Sequence, residues 1–143
     1  MKKGRTKISA AAEASYLADV ALAATFSQLL ARAQEAEREY RHAQAIGAPV
    51  SVQYPLAHSL DAALTDVTRA AYAAQRAEIG PQGYEDRIYF RKAKATPAVH
   101  AWTDEAERLL TLRETHRLTG FPARPTVEAL GTEVAETRTA SHR

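Results

Sequence analysis

The sequence contains no cysteine, which excludes disulfides, thiolate zinc sites and cysteine nucleophiles and fits a reducing compartment. Its glycines stand at positions 4, 47, 80, 83, 120 and 131. That scatter gives neither a P-loop nor a dinucleotide fingerprint, both of which cluster glycines where the backbone must approach phosphate. No G-x-S-x-G elbow surrounds any serine, so the strained turn that presents a hydrolase nucleophile is missing. Long apolar runs are missing as well. Asp19, Gln28 and Arg32 divide the most apolar stretch, which leaves it short of the ~18 consecutive apolar residues of a spanning helix. The start MKKGRTK is basic like the head of a signal peptide, but Glu13 and Asp19 interrupt the segment where an apolar core should follow. No export signal is therefore expected, and the expected location is the cytoplasm or a virion.

Large apolar side chains are scarce: Leu, Ile, Val and Phe together make 26 of 143 residues. So low a content approaches the range of disordered chains, but disorder also calls for a large net charge, and here it is +2. What stands in their place is alanine, 31 residues of it. Alanine loses no side-chain entropy on entering a helix and has the best helix propensity, so such segments become helical even where they bury little area. The chain length suits one domain. An alanine-lined core is thin, which predicts that some faces are completed by other chains.

The expected architecture is all-α, a small helical bundle of about three main helices. Residues 1–8 are expected to form a basic arm, 9–120 the helical domain and 121–143 an extended or partly ordered C-terminal tail. No Gly or Pro occurs from Arg5 to Ile46, which predicts one long helix from about Ser9 to Ala45, with Ser9 as N-cap and Gly47 as its stop. At 100° per residue Leu22, Phe26, Leu29, Leu30 and Ala33 share a stripe, flanked by Tyr16 and Val20. Asp19 falls in the same stripe. It is expected to face water, with a polar contact to a partner chain as the alternative. Further along, Glu35, Glu37, Arg38, Glu39 and Arg41 read as a solvated face, with Glu37 and Arg41 spaced for an i, i+4 pair.

Val50, Val52 and Tyr54 alternate with polar residues, which predicts an extended connector ahead of Pro55, itself suited to the first turn of a second helix. That helix carries the cleanest stripe of the chain, Leu56, Leu60, Ala63, Leu64, Val67, Ala70, Ala71 and Ala74, and stops at Gly80-Pro81. Residues 82–95 are expected to be mostly coil. Thr96-Pro97 then reads as N-cap and first turn of a third helix running to about Thr119, with Ala98, Val99, Trp102, Ala106, Leu109 and Leu110 inward and Gly120 at its end. Thr126 is a cap for one short turn over Val127 to Leu130.

Candidate chemistry is sparse. Glu39 and His42 make a single E-x-x-H step on a charged face, whereas a di-iron carboxylate site needs two such steps and two further glutamates. His58 is expected at the surface, His100 pairs with Asp104 at i, i+4, and His116 points inward, where its ring can satisfy helix-end carbonyls. No catalytic, cofactor-binding or metal-binding residue is expected, and the chain is read as non-enzymatic. The positive charge is local. Lys2, Lys3, Arg5 and Lys7 form an arm free of acids that suits phosphate by counterion release. Arg87, Arg91, Lys92 and Lys94 are interleaved with Tyr84, Tyr89 and Phe90, a pattern that combines phosphate contact with base stacking.

Taken together these features lead to a helical structural or assembly subunit of a larger complex, its partners other protein subunits in a homo- or hetero-oligomer. By analogy of architecture the example is a phage head-to-tail connector or adaptor in the virion. The contact candidates are Tyr16, Val20, Leu22, Phe26 and Phe121. The alternative is a small nucleic-acid-binding regulator that uses the two basic clusters.

Overall fold

The computed structural model describes residues 7–123. Among them there are five α-helices and no strand: α1 (Ala10–Ala23), α2 (Phe26–Ala45), α3 (Val50–Ile79), α4 (Arg87–Lys94) and α5 (Pro97–Thr115). A 3₁₀ turn, Pro81–Tyr84, precedes α4, and a π-helical turn, His116–Gly120, follows α5. The chain is all-α, and its helices form a bundle around α3.

At 30 residues, about 45 Å long, α3 is the axis on which α1, α2 and α5 pack. It is buried on most sides because its residues are small: Ala57, Ala63, Ala70, Ala71, Ala73 and Ala74 lie in the core between Leu60, Leu64 and Val67. The predicted stripe of this helix is the core of the protein, with Leu56 half-buried at its rim. Ten of the seventeen buried apolar residues are alanine, so the helices approach closely and the core is thin. Leu109 and Val67 are the largest side chains fully enclosed.

Ser9 caps the first helix as its sequence predicts, its hydroxyl accepting from Ala12 N at 3.1 Å. The predicted single rod from Ser9 to Ala45 is instead two helices, α1 and α2, bent by 47°. Neither Gly nor Pro breaks it. The Leu22 carbonyl accepts from both Thr25 N at 3.0 Å and Thr25 Oγ1 at 2.7 Å. This tightens the turn, since a threonine hydroxyl competes for helix carbonyls. The bend keeps both helices on α3. On α1, Asp19 reaches Arg76, while at the start of α2 the Phe26 ring meets Trp102 edge-on at 5.1 Å. The end of α2 was foreseen. Gly47 adopts φ 65, and Ala48 N bonds to Ala43 O at 2.9 Å beside Gly47 N to Gln44 O at 3.1 Å. This is a Schellman ending, which favours glycine for its positive φ.

The expected connector at residues 50–54 is also helix. Pro49 supplies the extended N-cap, and the helix starts at Val50 with Pro55 in its second turn. Losing one backbone donor there is tolerable because Gln53 Nε2 donates to Ala48 O at 2.7 Å and secures the start. The valine alternation was a coincidence of two periods: Val50 and Tyr54 lie four apart on the half-buried side, and Val52 points out at 46 % exposure. Residues 82–95, expected to be coil, hold the 3₁₀ turn and α4. Asp86 starts α4 as N-cap, accepting from Ile88 N and Tyr89 N, both at 3.0 Å.

Thr96 and Pro97 open α5 as read from the sequence, although the Thr96 hydroxyl donates backwards to Ala93 O at 2.7 Å. Val99, Ala106 and Leu109 are buried on its inner face, with Trp102 and Leu110 half-buried and Ala98 exposed. Gln75 Nε2 donates to Thr103 Oγ1 at 2.7 Å, a buried polar link between α3 and α5. The expected arm residues 1–6, the turn after Thr126 and the tail from residue 124 lie outside the described residues.

Candidate functional site

Three surfaces gather the residues singled out in the sequence. The first surrounds Asp19. Arg76 Nε and Nη2 donate to its two carboxylate oxygens at 2.7 and 3.1 Å, and the Tyr84 hydroxyl donates to the same carboxylate. Asp19 therefore faces neither water nor a partner, but an arginine fifty-seven positions on. Its side chain is only 14 % exposed. Burial disfavours its charge, yet the hydrogen bonds from Arg76 and Tyr84 and the Arg76 charge outweigh burial and hold its pKa below the ordinary value. Burial, reinforced by the adjacent Asp19 carboxylate, pushes the Tyr84 hydroxyl well above its ordinary pKa, so Tyr84 stays a donor. Tyr16 packs edge-on against Tyr84 at 6.5 Å. Leu22 lies half-buried where α1 nears α3 and α5, in a groove it shares with Tyr72, Arg76, Leu110 and Arg113.

The second surface lies where the chain leaves α5. His116 is buried, its Nε2 2.8 Å from the Ala57 carbonyl of α3. The inward placement was foreseen, but its partner is a carbonyl inside α3 and not one at a helix end. Tyr40 donates to Gly120 O at 2.5 Å, and burial raises its pKa. Arg117 Nε and Nη2 hold both Asp61 oxygens at 2.7 and 3.1 Å, and these bonds keep the Asp61 carboxyl below its ordinary pKa. The Phe121 ring rests 4.7 Å from His116, 5.0 Å from His58 and 5.7 Å from Tyr54. Phe121 thus anchors the exit of the chain to the bundle. His58 is exposed as expected.

The third surface is the outside of α1. Asp19, Ala12 and Tyr16 turn inward, so the opposite side presents Ala10, Ala14, Leu17, Ala18 and Ala21, all exposed. Leu17 is 55 % and Val20 40 % exposed, and the exposed carboxylate of Glu13, four positions before Leu17 and seven before Val20, lies between them on the helix surface. Val20 was among the contact candidates; Leu17 was not, because the stripe centred on Leu22 and Phe26 took precedence. The signal was present as the i, i+4, i+7 series Ala10, Ala14, Leu17, Ala21.

Lys7, Arg87, Arg91, Lys92 and Lys94 are exposed; Lys2, Lys3 and Arg5 lie outside the described residues. Glu39 and His42 are exposed, and His100 lies 3.2 Å from Asp104 as its spacing predicts. Among the described residues no three His, Asp or Glu side chains converge as metal ligands, and no single helix is long and apolar enough to cross a membrane. Comparison of the chain with protein-family models, curated proteins and solved structures finds no match, so the functional reading rests on the surfaces themselves.

Proposed function

We propose that this protein is a non-enzymatic helical assembly subunit that docks on other protein chains through the outer face of α1. The observation carrying this reading is the exposed Ala10–Ala14–Leu17–Ala18–Ala21 face, bordered by Glu13 and Val20. Exposed apolar residues in one contiguous stripe mark contact surfaces, whereas isolated ones are ordinary. The alanines admit a second helix at short range and Leu17 supplies the knob. Alanine dominates the core too, so the bundle encloses little apolar area and gains from further burial. The setting we propose, by analogy of architecture alone, is a phage virion, as a head-to-tail connector or adaptor component.

Mass in solution tests the docking. The chain should self-associate or be recovered with a protein partner from its native source, and Leu17→Arg should abolish that association while circular dichroism stays unchanged. A Leu17→Arg variant that assembles like the parent, or a parent that is monomeric and recovers no partner, would refute the α1 face as a contact. The virion setting fails if mass spectrometry of purified particles lacks the chain.

A further inference from the structure

Both α1 and α5 lie along α3 but scarcely meet each other. The gap between them is a groove of about 350 Å³ floored by α3, within the range of small-molecule sites. Its walls divide into two chemistries. Leu22 of α1, Tyr72 of α3 and Leu110 of α5 are half-buried and present apolar area, while Arg69, Arg76 and Arg113 line the same groove.

The three arginines differ in what holds them. Arg76 is occupied, its Nε and Nη2 bound to Asp19 at 2.7 and 3.1 Å. Asp61, whose carboxylate feels the Arg113 charge, is gripped in turn by Arg117. Arg69 is exposed and, among the described residues, in no ion pair. Arg113 is the odd one. Its side chain is 21 % exposed, its Nε is buried with no hydrogen-bond partner among the described residues, and its Nη2 reaches only the neighbouring, exposed Glu114 at 3.0 Å. A guanidinium carries five donors, and drawing it out of water without acceptors is unfavourable. An unmet buried donor in a groove wall marks a place where a bound anion completes the bonding.

We propose that this groove binds a small amphipathic anion, a carboxylate or phosphate head on a short apolar body. Arg113 and Arg69 take the head, because the guanidinium fork matches such oxyanions through paired hydrogen bonds. Turning Arg113 away from Glu114 costs little, since an exposed ion pair contributes little, and it offers Nε and Nη2 to one head group. Leu22, Tyr72 and Leu110 cover the body. A bare inorganic anion is the weaker match, for it would leave that apolar wall in water. Leu22 follows Leu17 by five positions, about 140° round the helix. The groove therefore stands apart from the outer face of α1, and either reading can fail without the other.

Octanoate is the probe, titrated into the isotope-labelled full chain and followed by amide shifts in NMR spectra. Saturable shifts at Leu22, Arg69, Tyr72, Leu110 and Arg113 are expected, with a dissociation constant below about 1 mM. Methyl octanoate, which keeps the chain without the charge, and acetate, which keeps the head without the chain, should each bind at least about tenfold more weakly. Arg113→Met should weaken octanoate about tenfold without lowering the melting temperature, and Arg69→Gln, at an exposed position, about threefold. Leu17→Arg should leave the affinity unchanged. Octyl phosphate in place of octanoate identifies the preferred head, and tighter binding of either one supports the groove. Absence of saturable shifts with both amphiphiles overturns the proposal. So does equal binding of methyl octanoate, full affinity in both arginine variants, or a set of shifts centred on Leu17 and Ala18.

Discussion

Asp19 of α1 and Arg76 of α3 grip each other through two parallel hydrogen bonds, 2.7 and 3.1 Å long. With Tyr84 bound to the same carboxylate, this contact joins α1, α3 and the 3₁₀ turn. Asp19→Ala leaves a guanidinium and a hydroxyl without their acceptor. The expected cost is about 2 kcal/mol of unfolding free energy, towards the lower end for a broken pair because Arg76 remains 41 % exposed to water. Urea denaturation measures it, and a change below about 0.5 kcal/mol would show the pair to be dispensable.

Acid should reveal the same pair. Asp19 and Asp61 both have folded pKa values below the ordinary one. Carboxylates of this kind add stability that is fully present above the unfolded pKa, near 4, and is lost as pH falls through the lower folded values. Unfolding free energy should stay level from about pH 7 to 5 and drop below about 4. Combining Asp19→Asn with Asp61→Asn should flatten that acid limb. An acid limb of unchanged steepness in the double variant would rule these two residues out as its source.

Gly120 sits against His116 so closely that an added Cβ would lie 2.4 Å from Nδ1. The ring cannot retreat without leaving the Ala57 carbonyl. Gly120→Ala should therefore destabilise by about 1–3 kcal/mol and shift the ring resonances of Phe121 and Tyr40 in NMR spectra. Unchanged stability and spectra would mean that the turn has room which the packing does not show.

Arg113 gives the opposite expectation. Its Nε is buried with no hydrogen-bond partner among the described residues, while Nη2 reaches Glu114 at 3.0 Å on the surface. An exposed pair of this kind contributes little, and an unmet buried donor is unfavourable. Arg113→Met keeps the bulk and removes the donor, so the melting temperature should hold or rise by a few degrees, on the order of 1 kcal/mol. A clear fall would show that the guanidinium has an unseen partner.

Much of this architecture was legible because helix punctuation is local. Ser9, Gly47, Gly80 and Pro97 mark ends that depend on caps and positive φ, and the Leu60–Ala63–Leu64–Val67 stripe marks the axis by period alone. The misplaced elements depended on distant contacts. A lone threonine at position 25 does not announce a bend, since its hydroxyl turns the helix at Leu22 while Arg76 and Trp102 hold the two halves in place. Val50 to Tyr54 alternates as a strand would, and the Gln53 bond to Ala48 O, the packing of α2 and the Tyr54–Phe121 contact favour helix there. Of the surfaces, the basic residues were visible one by one, but the gathering of Arg87, Arg91, Lys92 and Lys94 on one short helix depends on Asp86 capping it where coil was expected. The exposed alanine and Leu17 side of α1 was obscured because Asp19, in the Leu22–Phe26 stripe, reads as the wet side.

The elbow at Ala24 and Thr25 also makes α1 mechanically separable. An unbroken rod would resist removal along its whole length, whereas this short lever is fastened by the Asp19 grip, the Ser9 tether and the packing of Ala12 and Tyr16. Loosening either should let fourteen residues peel away together, their amides exchanging with solvent early while α2, α3 and α5 keep their protection. A partner that seizes the outer stripe would then gain a detachable arm, able to swap between copies without dismantling the axis beneath it.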